Sequence, residues 1–429
     1  MARKMKDSGI EWIGEIPEGW EVSQLKYATR WKSEKGCPDA PVLSLYRDFG
    51  VVPKDSRNDN HNVTSLDTSN YKVVDIGDLV INKMKAWQGS MAVSDYRGIV
   101  SPAYHVCSIT SNKVNKRYLH HLLRNPAYLP EYARLSTGMR IGQWDLGFDD
   151  FKNIPFLIPP LDEQAKIADY LDNGCASLDV ILDKTRSSIE EYKKLKQEVI
   201  KQAVTKGVRG EREMKDSGNP WFGQIPTDWK LSRVGLHFSI ILGKMLCNAP
   251  LNDTYTLEPY YCAADVHFDG VADGERKKMW FSPVEKELYR VSVGDLLVVE
   301  GGAGAGGSAI VENQDSYTYI QNSIMIVRSK GNTDNRYLRY LLEFLVKQGY
   351  IDVVCNKATI PHFTKDKLSC VPFCLCPTGE QKEIADYLDA KCAEIDKLIA
   401  KKEQLVKELE NYKKSLIFEY VTGKKELRR

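Results

Sequence analysis

Leu178, Leu182, Thr185, Ile189, Tyr192, Lys196, Val199 and Ala203 follow one another at alternating steps of four and three residues. That spacing is a heptad seam on one long helix. A second seam closes the chain: Ile395, Leu398, Lys402, Leu405, Leu409, Tyr412 and Leu416. Neither helix can bury its stripe alone, because a lone helix leaves the seam in water. The economical solution is that the two helices pair, antiparallel, as a coiled coil. The rest of the chain then forms two blocks held at the ends of a rod. Segment 178–203 alone, at about 1.5 Å per residue, gives a rod of roughly 40 Å. One turn of duplex DNA is about 34–36 Å, so blocks held that far apart can meet one face of a duplex a turn apart.

Working outward from the seams, the chain is written twice. Met5-Lys6-Asp7-Ser8-Gly9 returns as Met214-Lys215-Asp216-Ser217-Gly218, and the lead-in Trp12 to Trp20 returns as Trp221 to Trp229. Gly77-Asp78-Leu79-Val80 matches Gly294-Asp295-Leu296-Leu297, and Gln164 to Asp172 matches Gln381 to Asp389, at an offset of 217 (381 minus 164). Each copy is a Trp/Gly/Pro lead-in, a block, and a long helix. Two copies with paired helices imply pseudo-two-fold symmetry. A two-fold or bipartite target suits such a molecule, and duplex DNA is the commonest one. Two features argue against strict symmetry. Asn173-Gly174 is expected to break or kink the first helix, since an interior glycine costs about 1 kcal/mol. The second seam also carries Tyr412 where the offset sends Tyr192 to Leu409, a shift of three residues.

Bulk properties exclude several classes. Lys plus Arg number 60 and Asp plus Glu 58, so any nucleic-acid surface must come from local clustering. No apolar run reaches the roughly 18–20 residues of a membrane span, and the polar start lacks a signal-peptide core, which predicts a cytoplasmic protein. The ten cysteines are scattered. Cys370, Cys374 and Cys376 cluster without the second pair a zinc site needs, so buried thiols are expected.

Block one, from about Ser23 to Ile154, has β-type runs at Pro41 to Tyr46, Tyr71 to Asn82 and Ile99 to Ile109, and a helix at Asn115 to Arg124. Two loops in it interleave cations with aromatic and amide groups. Lys83, Lys85, Trp87 and Gln88 follow a strand end; Arg140 and Gln143 sit between glycines in Ser136 to Trp144. Lysine holds phosphate, arginine pairs with guanine and glutamine with adenine. Block two, from about Leu231 to Phe373, keeps the strand at Val291 to Glu300 but follows it with Gly301 to Gly307. Lys357, Thr359, His362, Thr364 and Lys365 stand in the place of the second loop. A shared frame with unlike loops is what two readers of different sequences need. Thr378 and Gln381 read as a capping box opening the last helix.

Three chemical signals are discounted. Gly302-x-Gly304-x-x-Gly307 matches a dinucleotide fingerprint, but Ser308 to Val311 reads as a strand where a helix is required. Asn125-Pro126-Ala127-Tyr128 is one residue from an amino-methyltransferase motif, but Asn-Pro after a helix is an ordinary stop. His120-His121 reads as a surface pair.

The repeated order of these motifs resembles the specificity subunit of Type I restriction-modification systems, over essentially the whole chain. Leu161-Asp162-Glu163-Gln164 with Ile167 and Leu171, and Glu380-Gln381 with Ile384 and Leu388, stand in the family's helical regions. Gly77 to Gly89 with Ile99 to Tyr104 resembles one type of target recognition domain; Gly294 to Leu297 with Thr359 to Phe363 resembles another. The resemblance implies an α+β fold. Residues 1–160 would hold the first lead-in and target recognition domain and 161–210 the central helix. Residues 211–377 would hold the second lead-in and domain, and 378–429 the last helix. It implies a non-catalytic chain without metal or cofactor, each domain reading half of an interrupted double-stranded DNA site. The helices would set the gap and dock two modification subunits, which bind S-adenosylmethionine and methylate adenine. Restriction and motor subunits using ATP and Mg2+ would complete the complex. The competing classes are a self-contained methyltransferase or nuclease, and a scaffold that binds only proteins.

Overall fold

The computed structural model describes residues 3–47, 49–56, 67–138, 144–313, 317–355 and 361–427. The chain divides into two compact units, Met1–Arg186 with Gln404–Arg429, and Ser187–Glu403. The boundaries drawn from the sequence set the long helices apart as regions of their own. The units instead divide each helix near its middle.

In the first unit, strands β1 (Thr29–Lys32), β2 (Leu79–Asn82), β3 (Met91–Val93) and β4 (Tyr104–Ile109) form an antiparallel sheet in the order β1-β4-β2-β3. Helix α1 (Lys116–Leu123) packs its buried face, Tyr118, Leu119, Leu122 and Leu123, into the same core. Helix α2 (Leu161–Lys206) leaves the block after a strand, Pro155–Ile158, that pairs with Glu21–Gln24 just beyond the lead-in. The second unit repeats the plan. Strands β5 (Phe238–Leu242), β6 (Leu296–Val299), β7 (Ser308–Ile310) and β8 (Ile324–Ser329) take the order β5-β8-β6-β7, followed by α3 (Asn335–Lys347) and α4 (Thr378–Val421). The fold is α+β: two mixed α/β blocks with two long helices that run antiparallel.

The sequence ran Tyr71 to Asn82 as one strand. It is two, Lys72–Val74 and Leu79–Asn82, split by a turn. Gly77 and its repeat Gly294 hold that turn at φ 88° and 89°, where a side chain would be strained. The aspartate that follows each glycine is buried and ion-paired: Asp78 with Lys32 at 2.9 Å, Asp295 with Arg328 at 2.6 Å. Gly-Asp-Leu is therefore a structural turn in both blocks.

Within the first unit Tyr170, Asp179 and Arg186 of α2 meet Tyr420, Lys413 and Glu410 of α4. Within the second, Tyr192 and Lys196 meet Lys402 and Asp396. Rising numbers on one helix meet falling numbers on the other, so the pairing is antiparallel. Leu178, Leu182 and Ile189 are buried, while Tyr192 and Val199 are half-buried. On α4, Ile395 and Leu416 are buried, and Leu398 and Leu409 half-buried. Leu405 and Tyr412 are not in the seam, being 42% and 55% exposed. The stripe runs instead through Ile395, Ile399, Lys402, Val406, Leu409, Lys413, Leu416 and Tyr420. Leu398-Ile399 and Leu405-Val406 are adjacent apolar pairs, so periodicity alone does not choose between them. Lys413 at a seam position decides the matter, and only its partner, Asp179 at 2.6 Å, makes it tolerable there.

Corrected in this way, the seam of α4 is that of α2 displaced by 217 throughout, and the expected three-residue shift disappears. Lys196 with Asp396 (2.7 Å) and Lys413 with Asp179 (2.6 Å) become the same contact written twice. Nor does Asn173-Gly174 break α2, which is continuous from Leu161 to Lys206. A Cβ on Gly174 would sit 3.4 Å from a Leu416 methyl, so the glycine brings the helices close without ending one. The corrected seam is checked by urea unfolding of two variants. Leu416→Ala is expected to cost about 2–5 kcal/mol, and Tyr412→Ala to stay within about 0.5 kcal/mol. Equal costs would return Tyr412 to the seam.

The helix starts are fixed by residues the sequence reading gave other roles. Gln381 does not form a capping box with Thr378. Its Nε2 donates to Cys376 O at 2.8 Å and its Oε1 accepts from Asp334 N at 3.0 Å, so it bridges α4 to the start of α3. Gln164 does the same between Pro159 O and Asn115 N, both at 2.8 Å. Trp20 and Trp229 are fully buried, and each indole Nε1 donates to the neighbouring glutamate, Glu163 at 3.1 Å and Glu380 at 3.2 Å. Arg3 and Arg212 pair with those same glutamates.

The histidine pair is not a surface feature. His121 is buried and bonds Asp172 of α2 at 2.6 Å, and His120 Nδ1 accepts from Val93 N. His121 and Arg117 hold the Asp172 carboxyl below its ordinary range. In the second unit Tyr340 and Arg336 meet Asp389 in the same way, at 2.7 Å each.

Candidate nucleic-acid interface

Both loops singled out in block one converge on the end of β2. Asn82 ends the strand, and a tight turn over Ala86–Gln88 closes on Gly89, whose φ is 80°. A Cβ there would lie 2.8 Å from Leu129, so only glycine fits. The chain from Ser136 returns antiparallel, pairing Ser136 with Leu146. Leu146 N then donates to Lys83 O at 3.0 Å. Lys83 Nζ lies 3.0 Å from Asp145 Oδ2, and the Trp87 and Trp144 rings meet edge-on at 5.3 Å. The ammonium of Lys83 is thus already paired. Lys85 and Gln88 are exposed beside it. Arg140 and Gln143 lie outside the described residues.

Around this seam sit groups the sequence reading passed over. Trp31, His105 and Phe148 stack together, with centroids 4.4 Å apart for Trp31 and Phe148 and 4.9 Å for Trp31 and His105. Lys72 Nζ lies 5.2 Å from the Trp31 ring and bonds Tyr104 O. Burial, with Lys83 and Lys35 nearby, pushes its pKa down. His105 Nε2 contacts Leu146 O at 3.2 Å, and burial lowers its pKa. Asp145 and Trp31 were legible only as neighbours of motifs. No spacing rule joins residues 31, 72, 105 and 145.

Block two builds its meeting of loops at the matching strand end. Phe363 N donates to Glu300 O at 2.6 Å, and Gly302 N to Pro361 O at 3.2 Å. His362 Nδ1 lies 3.6 Å from a Glu300 carboxylate oxygen, and Lys367 Nζ bonds His362 O at 2.7 Å. The charge on the strand-end loop changes sign between blocks. Block one has the cation on the strand-end loop and the acid on the later one; block two has the acid on the strand-end loop and, on the later one, a histidine that is a cation only when protonated. His362 and Lys365 are exposed. Thr364 caps a short helix by accepting from Lys367 N, so its hydroxyl is engaged locally. Lys357 and Thr359 lie outside the described residues.

The discounted signals have structural explanations. The glycines 301–307 run from β6 directly into strand β7, leaving no helix to receive a pyrophosphate. Asn125 and Tyr128 are wholly buried, and Asn125 Oδ1 caps the turn that follows it. Cys374 and Cys376 are buried, which pushes the Cys376 thiol up to about 12, while Cys370 is exposed. Among the described residues no group of metal-ligating side chains forms a metal site, and no helix is long and apolar enough to cross a membrane.

A repeated frame that fixes unlike loops at equivalent strand ends defines a recognition protein. Comparison with known proteins gives the class. The model of the Type I restriction modification DNA specificity domain matches residues 17–191 and again 226–410, and the chain belongs to that family. It is a specificity subunit, a recognition component and not an enzyme. It is 26% identical to the putative type I restriction enzyme MjaX specificity subunit of Methanocaldococcus jannaschii, over 96% of this chain and 95% of that one. The MjaVIII specificity subunit of the same organism is also 26% identical, over 95% and 93%. A solved structure from a study of complex assembly and conformational transition of the type I R-M system matches with a TM-score of 0.70. Its identity is 18%, over 95% of this chain and 99% of that one. The HsdS subunit of Thermoanaerobacter tengcongensis matches at 0.52 and 17% identity, over 95% and 98%. At these identities the structural matches speak to the fold.

Proposed function

We propose that each block reads one half of an interrupted duplex DNA site. The carrying observation is the convergence of both divergent loops at the same strand end in each block. Lys85 and Gln88, with Trp87 held by Trp144, serve the first half-site together with Arg140 and Gln143. Lys83 acts there through its pairing with Asp145. Lys357, Thr359, His362 and Lys365 serve the second, and Thr364 acts by capping the helix that presents Lys365. Lysines on phosphate make the affinity fall steeply with salt, and the fewer base contacts supply selectivity.

The long helices set the spacing between half-sites and dock two modification subunits. The face left over by the corrected seam supports this role: Ile181, Leu195, Leu405 and Tyr412 are exposed apolar side chains recurring at heptad positions. A shallow groove of about 430 Å³ in the first unit, walled by Tyr170, Leu178, Tyr412 and Leu416, lies beside that face. The modification subunits hold S-adenosylmethionine and methylate adenine. Restriction and motor subunits take ATP and Mg2+. The complex works on cellular DNA in the cytoplasm.

The test has two arms. Methylated adenines mapped in cells with and without this chain are expected to define one bipartite motif that appears only with it. The purified chain alone, given duplex and labelled S-adenosylmethionine, is expected to transfer no methyl group. Transfer without partners would sink the reading, as would a methylation pattern indifferent to the chain.

A further inference from the structure

We propose that Asp145 is a base-reading residue of the first block. Its carboxylate accepts a hydrogen bond from an exocyclic amino group in the major groove, either cytosine N4 or adenine N6. The inference rests on the reading above that this strand end faces DNA.

Asp145 Oδ2 is held by the Lys83 ammonium at 3.0 Å. Oδ1 is shielded from solvent and has no hydrogen-bond partner among the described residues. An unpartnered, desolvated carboxylate oxygen is costly, so it is a place where structure is given up for a ligand. The exposed part of the side chain, 46% overall, is therefore Oδ2 and its neighbours, and a turn about Cβ–Cγ on binding brings Oδ1 to the base. Its position is also fixed. Trp144 before it is held by Trp87, and Leu146 after it donates to Lys83 O.

Charge then identifies the ligand. A carboxylate is repelled by phosphate, so among phosphates it can only face a donor. The amino groups of cytosine and adenine are the donors the major groove offers, and Asp and Glu accept from them. Lys83 neutralises the carboxylate as it enters the negative field of the duplex. That explains why the loop expected to hold phosphate has its first lysine already paired. Lys83 is a positioning residue here, and Lys85 is left for the backbone.

Asp145→Asn and Asp145→Glu, each assembled with its modification subunits, provide the test. Methylation motifs are mapped, and binding is measured to the cognate duplex and to duplexes changed at single base pairs of the first half-site. The Asn variant is expected to relax one base pair, losing on the order of tenfold in affinity for the cognate and little for duplexes already changed there. The second half-site is expected to stay unchanged. The base that becomes tolerated distinguishes cytosine from adenine reading. The Glu variant, and Lys83→Gln, which keeps the acceptor, are expected to retain the preference at that base pair. An unchanged motif in the Asn variant overturns the inference. So does an equal loss on every duplex, the result of a carboxylate that only stitches two loops together. A wild-type complex with no bipartite motif would sink the reading of the blocks themselves, and Asp145 with it.

Discussion

Glu380→Ala is expected to lower the stability of the second unit by about 3–5 kcal/mol, the range for removing one partner of a buried ion pair. Its carboxylate is fully buried at the start of α4, pairs with Arg212, and accepts from Trp229 Nε1 at 3.2 Å. Removing it leaves a fully buried indole N–H without an acceptor and takes from Arg212 its principal partner. Glu163 makes the same contacts with Arg3 and Trp20, but its side chain is 26% exposed and that of Arg3 25%. Water reaches that pair, so Glu163→Ala is expected to cost about 1 kcal/mol. Urea unfolding followed by tryptophan fluorescence reads both, since Trp20 and Trp229 report on their own units. Equal losses would mean that burial does not set the value of this contact.

Exchanging the loops of block two for those of block one is expected to turn the second half-site into a copy of the first. The strand-end loops, 83–90 and 300–307, join the same pair of strands in each block and have the same length. The second loops, taken as 136–145 and 356–365 so that Asp145 and His362 are included, must travel with them. The strand-end loop carries the cation Lys83 in block one, facing Asp145, and the acid Glu300 in block two, facing His362. Moving one loop alone sets like charges together or leaves a charge unpaired, and activity is expected to collapse. Moving both keeps each pair intact. Each mismatched base pair costs about 1–3 kcal/mol, so the original site is expected to lose methylation altogether. Mapping of methylated adenines decides the matter. Retention of the old second half-site would place recognition elsewhere in the block.

The long helices, the duplication and the two loop pairs are legible in the sequence because each is a local pattern or a self-match. The seam of α4 is not. Leu405 and Val406 serve a period of seven equally well, and the choice rests on Lys413, whose acceptability depends on Asp179 more than two hundred residues away. Gln381 carries the spacing of a capping box, yet its amide spans two elements because Asp334 N comes within reach only once α3 packs on α4. Asp145 sits outside every basic or aromatic motif. It becomes visible only when β2 ends beside it.

Each compact unit takes the first half of one long helix and the second half of the other. This fixes an order of events during synthesis. The second unit, Ser187–Glu403, is continuous in the chain and can close as soon as it has left the ribosome. The first unit needs Leu416 against Leu178 and the Val421 carbonyl on the Tyr118 hydroxyl, at 3.1 Å. The core of the domain translated first is therefore complete only once the last helix is made, against the usual progression from the N-terminus.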